Sequence, residues 1–156
     1  MSETPTVRES ILLNLKSVLE YITTGHHYNN TIASVQRWSQ RGQFTSSTPY
    51  IIINAGPEEK KPEPYPLNTC TLNVYIDIWT NHVETDTRSS DEILNSLLGD
   101  VEKALMADIT RGGYAIDTNI LRVLPCEKID GQPQIGIWID LEIIYQHQQT
   151  DPAVSG

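Results

Sequence analysis

Apolar residues recur along this chain in two rhythms, one of three-four spacing and one of strict alternation. Val7, Ile11, Leu12, Leu15, Val18, Leu19 and Ile22 follow the first and predict one buried helical stripe. Thr6-Val7-Arg8-Glu9 reads as a capping box at its start, with Thr4-Pro5 as an alternative start and Gly25 as the stop. A second stripe runs through Leu94, Leu97, Leu98, Val101 and Leu105. It follows Ser89-Ser90-Asp91-Glu92, another capping box whose acids sit where the helix dipole favours them. This helix should reach about Ala107 and break near the sequence RGGYA.

Alternation is clearest over residues 68–79, NTCTLNVYIDIW. Cys70, Leu72, Val74, Ile76 and Ile78 face one way, and Thr71, Asn73, Tyr75, Asp77 and Trp79 the other. Residues 119–146 read as two strands joined by a turn at Asp130-Gly131. In the second of them Ile135, Ile137, Ile139, Leu141, Ile143 and Tyr145 oppose Gly136, Trp138, Asp140, Glu142 and Ile144. Residues 50–54, YIIIN, make a short strand, 31–38 alternate loosely as another, and the segment between them is turn-like.

The order is α-β-β-β-α-β-β. It predicts an α+β fold in which a mostly antiparallel sheet of four to five strands carries two helices on one face. One domain should span 1–156, with a core over about 6–147 and a loose tail at 148–156. A projecting arm is expected at about 56–67. Within it GPEEKKPEPYP holds four of the nine prolines, although a hairpin closes with about two to five residues. Pro62, Pro64 and Pro66 should stiffen this arm toward polyproline geometry around Tyr65.

Charge narrows the function classes. The net charge is −9, so the surface is not built to grip a phosphate backbone. The acidity is concentrated: residues 81–110 carry seven acids against Arg88 and Lys103. No apolar run approaches a membrane span, and the polar N-terminus does not read as a secretory signal. Cys70 and Cys126 fall at alternating positions on the buried side, without metal-binding or redox spacing. His26-His27 follow a helix end with no carboxylate or thiol close in sequence, so they read as a polar loop. No cofactor is expected.

If the helices cover the Leu72–Val74–Ile76 side, the other side presents Tyr75, Asp77, Trp79, Trp138, Asp140, Glu142 and Ile144. Aromatic residues among polar ones suit a protein contact, whereas a loop folded over them would bury them within the monomer. The candidate interface is therefore Pro64 and Tyr65 with Glu58, Glu59, Lys60 and Lys61 on the arm, and Tyr75, Trp79 and Trp138 on the sheet. A rival reading makes Asp77, Asp140 and Glu142 a metal or acid–base site in a small enzyme or ligand-binding domain. No glycine-rich phosphate cradle or nucleophile motif accompanies them.

Taken together, the helix VRESILLNLKSVLEYI, the strand and acidic turn PYIIINAGPEE, the strand TLNVYIDIW, the helix DEILNSLLGDVEKALMAD and the closing IWIDLEIIYQHQQTDP resemble the tail terminator (tail completion) proteins of tailed bacteriophages. The likeness covers roughly residues 6–152 and is one of pattern. It implies a non-enzymatic virion protein forming a homo-hexameric ring that caps the tail tube, stops its growth and offers a surface for head–tail joining. Its partners would be its own copies, the tail tube protein, the head-neck connector and, in a contractile tail, the sheath. DNA would pass through without specific binding, past an acidic lumen that lets it slide. A head–tail connector or neck protein is the alternative within virion assembly.

Overall fold

The computed structural model describes residues 3–37, 47–82, 87–126 and 133–156. Helix α1 spans Val7–Glu20 and helix α2 spans Ser90–Met106. The strands are β1 Ser34–Arg37, β2 Tyr50–Pro62, β3 Leu67–Asn81, β4 Asp117–Pro125, β5 Gln134–Gln148 and β6 Asp151–Ser155. They form one sheet in the order β1-β2-β3-β5-β4, with β6 also paired to β5. Apart from the parallel β1–β2 pair, every pairing is antiparallel. The α+β architecture is as the patterning predicts, with β6 as one strand more than expected.

Both helices begin where their caps predict. Thr6 Oγ accepts the Glu9 amide at 3.1 Å, and Ser89 Oγ accepts the Glu92 amide at 3.2 Å. Glu9 does not reach back to close the capping box. Its carboxylate instead takes Arg37 in a two-pronged bond at 2.7 and 2.8 Å, which ties the end of β1 to the first turn of α1. Helix α1 stops at Glu20, short of Gly25, and a 3₁₀ turn over Thr24–His26 carries the chain on. At the far end of α2, the fully buried Arg111 donates to the carbonyls of Leu105 and Asp108 and so caps the helix.

The core lies between the helices and one face of the sheet. Ile11, Leu15 and Leu19 of α1 and Leu97, Val101 and Leu105 of α2 pack with Ile51, Ile53, Leu72, Val74, Ile76, Ile139, Leu141 and Ile143. Burying each such side chain contributes about 1.5–3 kcal/mol. The exposed Lys16–Glu20 pair on α1, at 3.4 Å, contributes only about 0.3–0.5 kcal/mol. The apolar stripe therefore holds the helix in place.

Two departures from the sequence expectation matter. The arm predicted at 56–67 is not a polyproline loop, because residues 56–62 continue β2 and 58–62 pair with β3. The turn proper is Glu63–Pro66, closed by the Glu63 amide on the Leu67 carbonyl at 3.0 Å. The tail is not loose either: it turns back at residues 149–150 and adds β6 to the edge of β5. The expected Asp130-Gly131 turn, Trp38 at the end of the first strand and most of the segment after it lie outside the described residues.

The buried carboxylate of Asp100 joins α2 to the loop after α1. It accepts the Asn29 amide at 3.2 Å and the amide and side-chain nitrogens of Asn30 at 2.8 Å each. Asp100 itself is 3% exposed, and removing it takes the shared acceptor from the amides of the exposed Asn29 and the half-buried Asn30. Asp100→Ala should lower the unfolding free energy by about 1–3 kcal/mol, seen as a lower urea midpoint with an unchanged slope.

Candidate interaction surface

Alternation on β3 and β5 places two kinds of side chain on the face away from the helices. Tyr75 is registered with Asp140, Asp77 with Trp138, and Trp79 with Gly136. The Tyr75 and Trp138 rings meet edge to face, with centroids 5.6 Å apart. The Arg122 guanidinium, brought opposite Asp140 by a bulge at Leu121, lies 5.8 Å from the Trp138 ring. Two glycines make room for this layer. A Cβ at Gly136 would stand 2.6 Å from the Trp79 ring, and one at Gly56 would stand 2.7 Å from the Tyr75 ring.

Burial across this face is graded. Tyr50, Ile52, Asp77 and Asp140 are buried, whereas Tyr75, Trp79, Trp138, Glu142 and Ile144 are half-buried. Burial and the nearby Asp77 push the Tyr50 phenol up to about 12. The face predicted to be uncovered is thus closed at its Tyr50 end. The aromatic patch keeps surface for a contact around Tyr75, Trp79 and Trp138.

The three carboxylates do not assemble a metal site. Asp140 accepts Asn73 Nδ2 at 3.1 Å and pairs with Arg122 Nε at 3.3 Å. Glu142 is registered with Asn73, four residues along β3 from Asp77. Among the described residues no three His, Cys, Asp or Glu lie close enough to hold a metal ion. His26 Nδ1 donates to the Tyr21 carbonyl at 2.8 Å and its ring stacks on Tyr21, while the His27 carbonyl accepts Lys103 Nζ at 3.2 Å. These histidines hold a loop. Cys70 is buried as expected, Cys126 is half-buried rather than buried, and neither is in a disulfide.

The arm residues divide into two groups. Tyr65 stands at the hairpin apex with 76% of its surface exposed, and Pro64, Glu59 and Lys61 are exposed beside it. Gln149 steadies the apex by donating to the Leu67 carbonyl at 2.9 Å and the Glu63 carbonyl at 3.3 Å. Glu58 turns inward, and Lys60 lies on the same side of the strand with its side chain about half exposed. Between Ala55 and Glu58 the β2–β3 register slips by one residue, so Gly56-Pro57 form a bulge opposite Asn73. That slip puts Glu58 across from Leu72 and Lys60 across from Cys70, on the face the helices cover.

There they complete a polar cluster that the sequence reading did not anticipate. Tyr145 donates its hydroxyl to Glu58 Oε1 at 2.7 Å, and Arg8 of α1 meets the same oxygen at 3.2 Å. Lys60 Nζ lies 2.7 Å from Glu58 Oε2 and 2.8 Å from His147 Nε2. Burial alone would raise the Glu58 carboxyl. Hydrogen bonds from Lys60 and Tyr145, with the charges of Lys60 and Arg8, outweigh it and hold the group below its ordinary value. Burial and the facing carboxylate push the Tyr145 phenol up. Two signals were present in the sequence: a Gly-Pro step inside a strand marks a bulge, and alternation continued past Tyr145 reaches His147.

Both arrangements can be tested by stability. Gly136→Ala, which forces Trp79 aside, should cost about 1–3 kcal/mol. Gly99→Ala, on the exposed side of α2 with no atom within 4 Å, should instead stabilise by up to about 1 kcal/mol. Chemical denaturation of the pair decides whether the aromatic layer is seated as described. Glu58 has a depressed folded value, so its stabilisation is complete above the unfolded carboxyl near ~4.3 and is lost as pH falls through the folded value. Glu58→Gln should cost about 2 kcal/mol at pH 7, and its gap to the parent chain should narrow steadily from pH 5 downward.

In comparisons with protein-family models and with curated proteins, the chain matches none.

Proposed function

We propose that this chain is a structural virion protein of the tail-terminator kind. Six copies form a ring that caps the head-proximal end of a phage tail tube, ends its growth and presents a surface for head joining. The observation that carries this reading is the aromatic patch. Tyr75, Trp79 and Trp138 are seated by glycines and by a buried carboxylate–arginine pair, yet stay half-buried, and both helices lie on the opposite face. Rigid aromatic side chains lose little entropy on docking, which suits them to the centre of a subunit contact.

A ring needs two different patches, one docking the other on the next subunit. Tyr65 at its clamped apex is the second. The strand beside it is poorly suited to edge pairing: Pro57 and Pro62 lack amide donors, Gly56-Pro57 bulge, and Glu59 and Lys61 are charged. Side chains, then, make the contact. The resemblance of the helix and strand pattern to tail terminators supports the same assignment, and a net charge of −9 suits a channel in which DNA slides.

Native mass spectrometry and negative-stain imaging, with and without isolated tail tubes, test the proposal. Hexamers in solution, or rings confined to tube ends, are expected. Trp138→Glu and Tyr65→Ala should each weaken association by roughly tenfold or more, as loss of a central aromatic anchor does. A chain that stays monomeric beside tubes and leaves their length unchanged would overturn the assignment.

A further inference from the structure

We propose that an ion pair between copies closes the subunit contact, with Lys61 beside the hairpin apex of one subunit meeting Glu142 beside the aromatic patch of the next. The inference rests on the ring reading and names the charges its two patches exchange.

Glu142 lacks a donor. It is half-buried on the face away from the helices, and its cross-strand neighbours are Asn73 on β3 and Asn119 on β4. Both side-chain amides are turned elsewhere. Asn73 Nδ2 donates to Asp140 at 3.1 Å, and Asn119 Nδ2 donates to Asp117 at 3.3 Å. Arg122 is likewise spent on Asp140. These three donors serve neighbouring acids, and among the described residues the Glu142 carboxylate has no hydrogen-bond or ion-pair partner. A carboxylate partly withdrawn from water and set among like charges favours an incoming cation.

The chain carries a suitable one. The Lys61 side chain is 79% exposed, and its in-chain acid, Glu63, stands 3.8 Å away with Oε1 already accepting the Thr69 hydroxyl at 3.1 Å. An exposed pair of that length holds little. Lys61 is registered with Thr69, at the base of the turn that carries Tyr65. Among the described residues Arg88 is also untied to an acid, but it follows β3 at the end away from the apex.

Lys61 and Glu142 cannot meet within one copy. Thr69 is registered with Gln146, four residues from Glu142 along β5. That is about 13 Å along the strand, with two strand spacings of about 4.8 Å across. Between copies the fit is direct. Glu142 is the diagonal neighbour of Tyr75, about 7–8 Å away. A subunit that lays Tyr65 on the Tyr75–Trp138 rings therefore brings the long Lys61 side chain to Glu142. Because tip and patch are different surfaces, the contact is head-to-tail, as a ring requires.

Sedimentation velocity and native mass spectrometry of the full chain at low salt test the pairing. Lys61→Glu and Glu142→Lys should each weaken association by roughly tenfold or more, since each sets like charges face to face. Mixed in equal amounts, the two variants present opposite charges at every contact of an alternating ring. Hexamers holding three copies of each should then return. Should Glu142→Lys fail to fold, the neutral pair decides: Glu142→Gln and Lys61→Met should each weaken association, and together cost no more than either alone. Unchanged assembly of a reversed variant, folded variants that do not recover on mixing, or additive losses in the neutral pair would overturn the ion pair and leave the ring standing. A parent chain that forms no ring, alone or on tube ends, overturns both.

Discussion

Fifteen consecutive residue pairs join β3 to β5 without a break, and this ladder sets the position of everything else. Side chains on a strand alternate, so an unslipped register holds two faces apart along its whole length. One face is apolar from Cys70–Tyr145 to Ile78–Ile137, and both helices pack against it. The other collects Asn73, Tyr75, Asp77 and Trp79 opposite Glu142, Asp140, Trp138 and Gly136. A shift of one residue would exchange the faces and put carboxylates under the helices. The apolar alternation on both strands makes that exchange costly, and so protects the register.

Where the ladder is flanked by bulges, the same rule produces different chemistry. The Gly56-Pro57 bulge reverses the facing of β2 midway, so Ile51, Ile53 and then Glu58 and Lys60 share one side. The Glu58 carboxylate enters the protein interior there beneath the half-exposed Lys60 side chain, and both are tolerated because each is bonded. Glu58 has Tyr145, Arg8 and Lys60, and Lys60 has Glu58 and His147. The bulge at Leu121 does comparable work on β4 by turning Arg122 onto Asp140. Both buried acids are thereby committed to structural pairings.

The two faces of the sheet have separate duties. The helix-covered face holds the fold, and near the hairpin apex it also holds the Glu58 cluster. The opposite face carries an aromatic layer fixed in place by its own neighbours, which suits it to the contact proposed for it. A seated layer of this kind is ready for contact without reorganisation. Acidic charge over the rest of the chain limits contact elsewhere, since copies at a net −9 repel except where opposite charges or apolar groups meet.

The sequence pattern alone identified both helices, their caps, five of the six strands and the division of Cys70–Trp79 into two faces, because caps and alternation act over a few neighbouring residues. It also singled out Tyr75, Trp79 and Trp138 as facing away from the helices. Only the tertiary structure decided that residues 56–62 extend a strand, that 151–155 add another, and that Asp77 and Asp140 are buried. Pairing partners supply those answers, and Pro-rich or polar segments carry no periodicity of their own to reveal them. The inward turn of Glu58 depends on one extra residue in one strand, and a polar residue reads as solvent-facing until its cross-strand neighbours are known. His147 shows the same limit. Its side-chain partner, Lys60, is 87 residues away in sequence and 2.8 Å away in space.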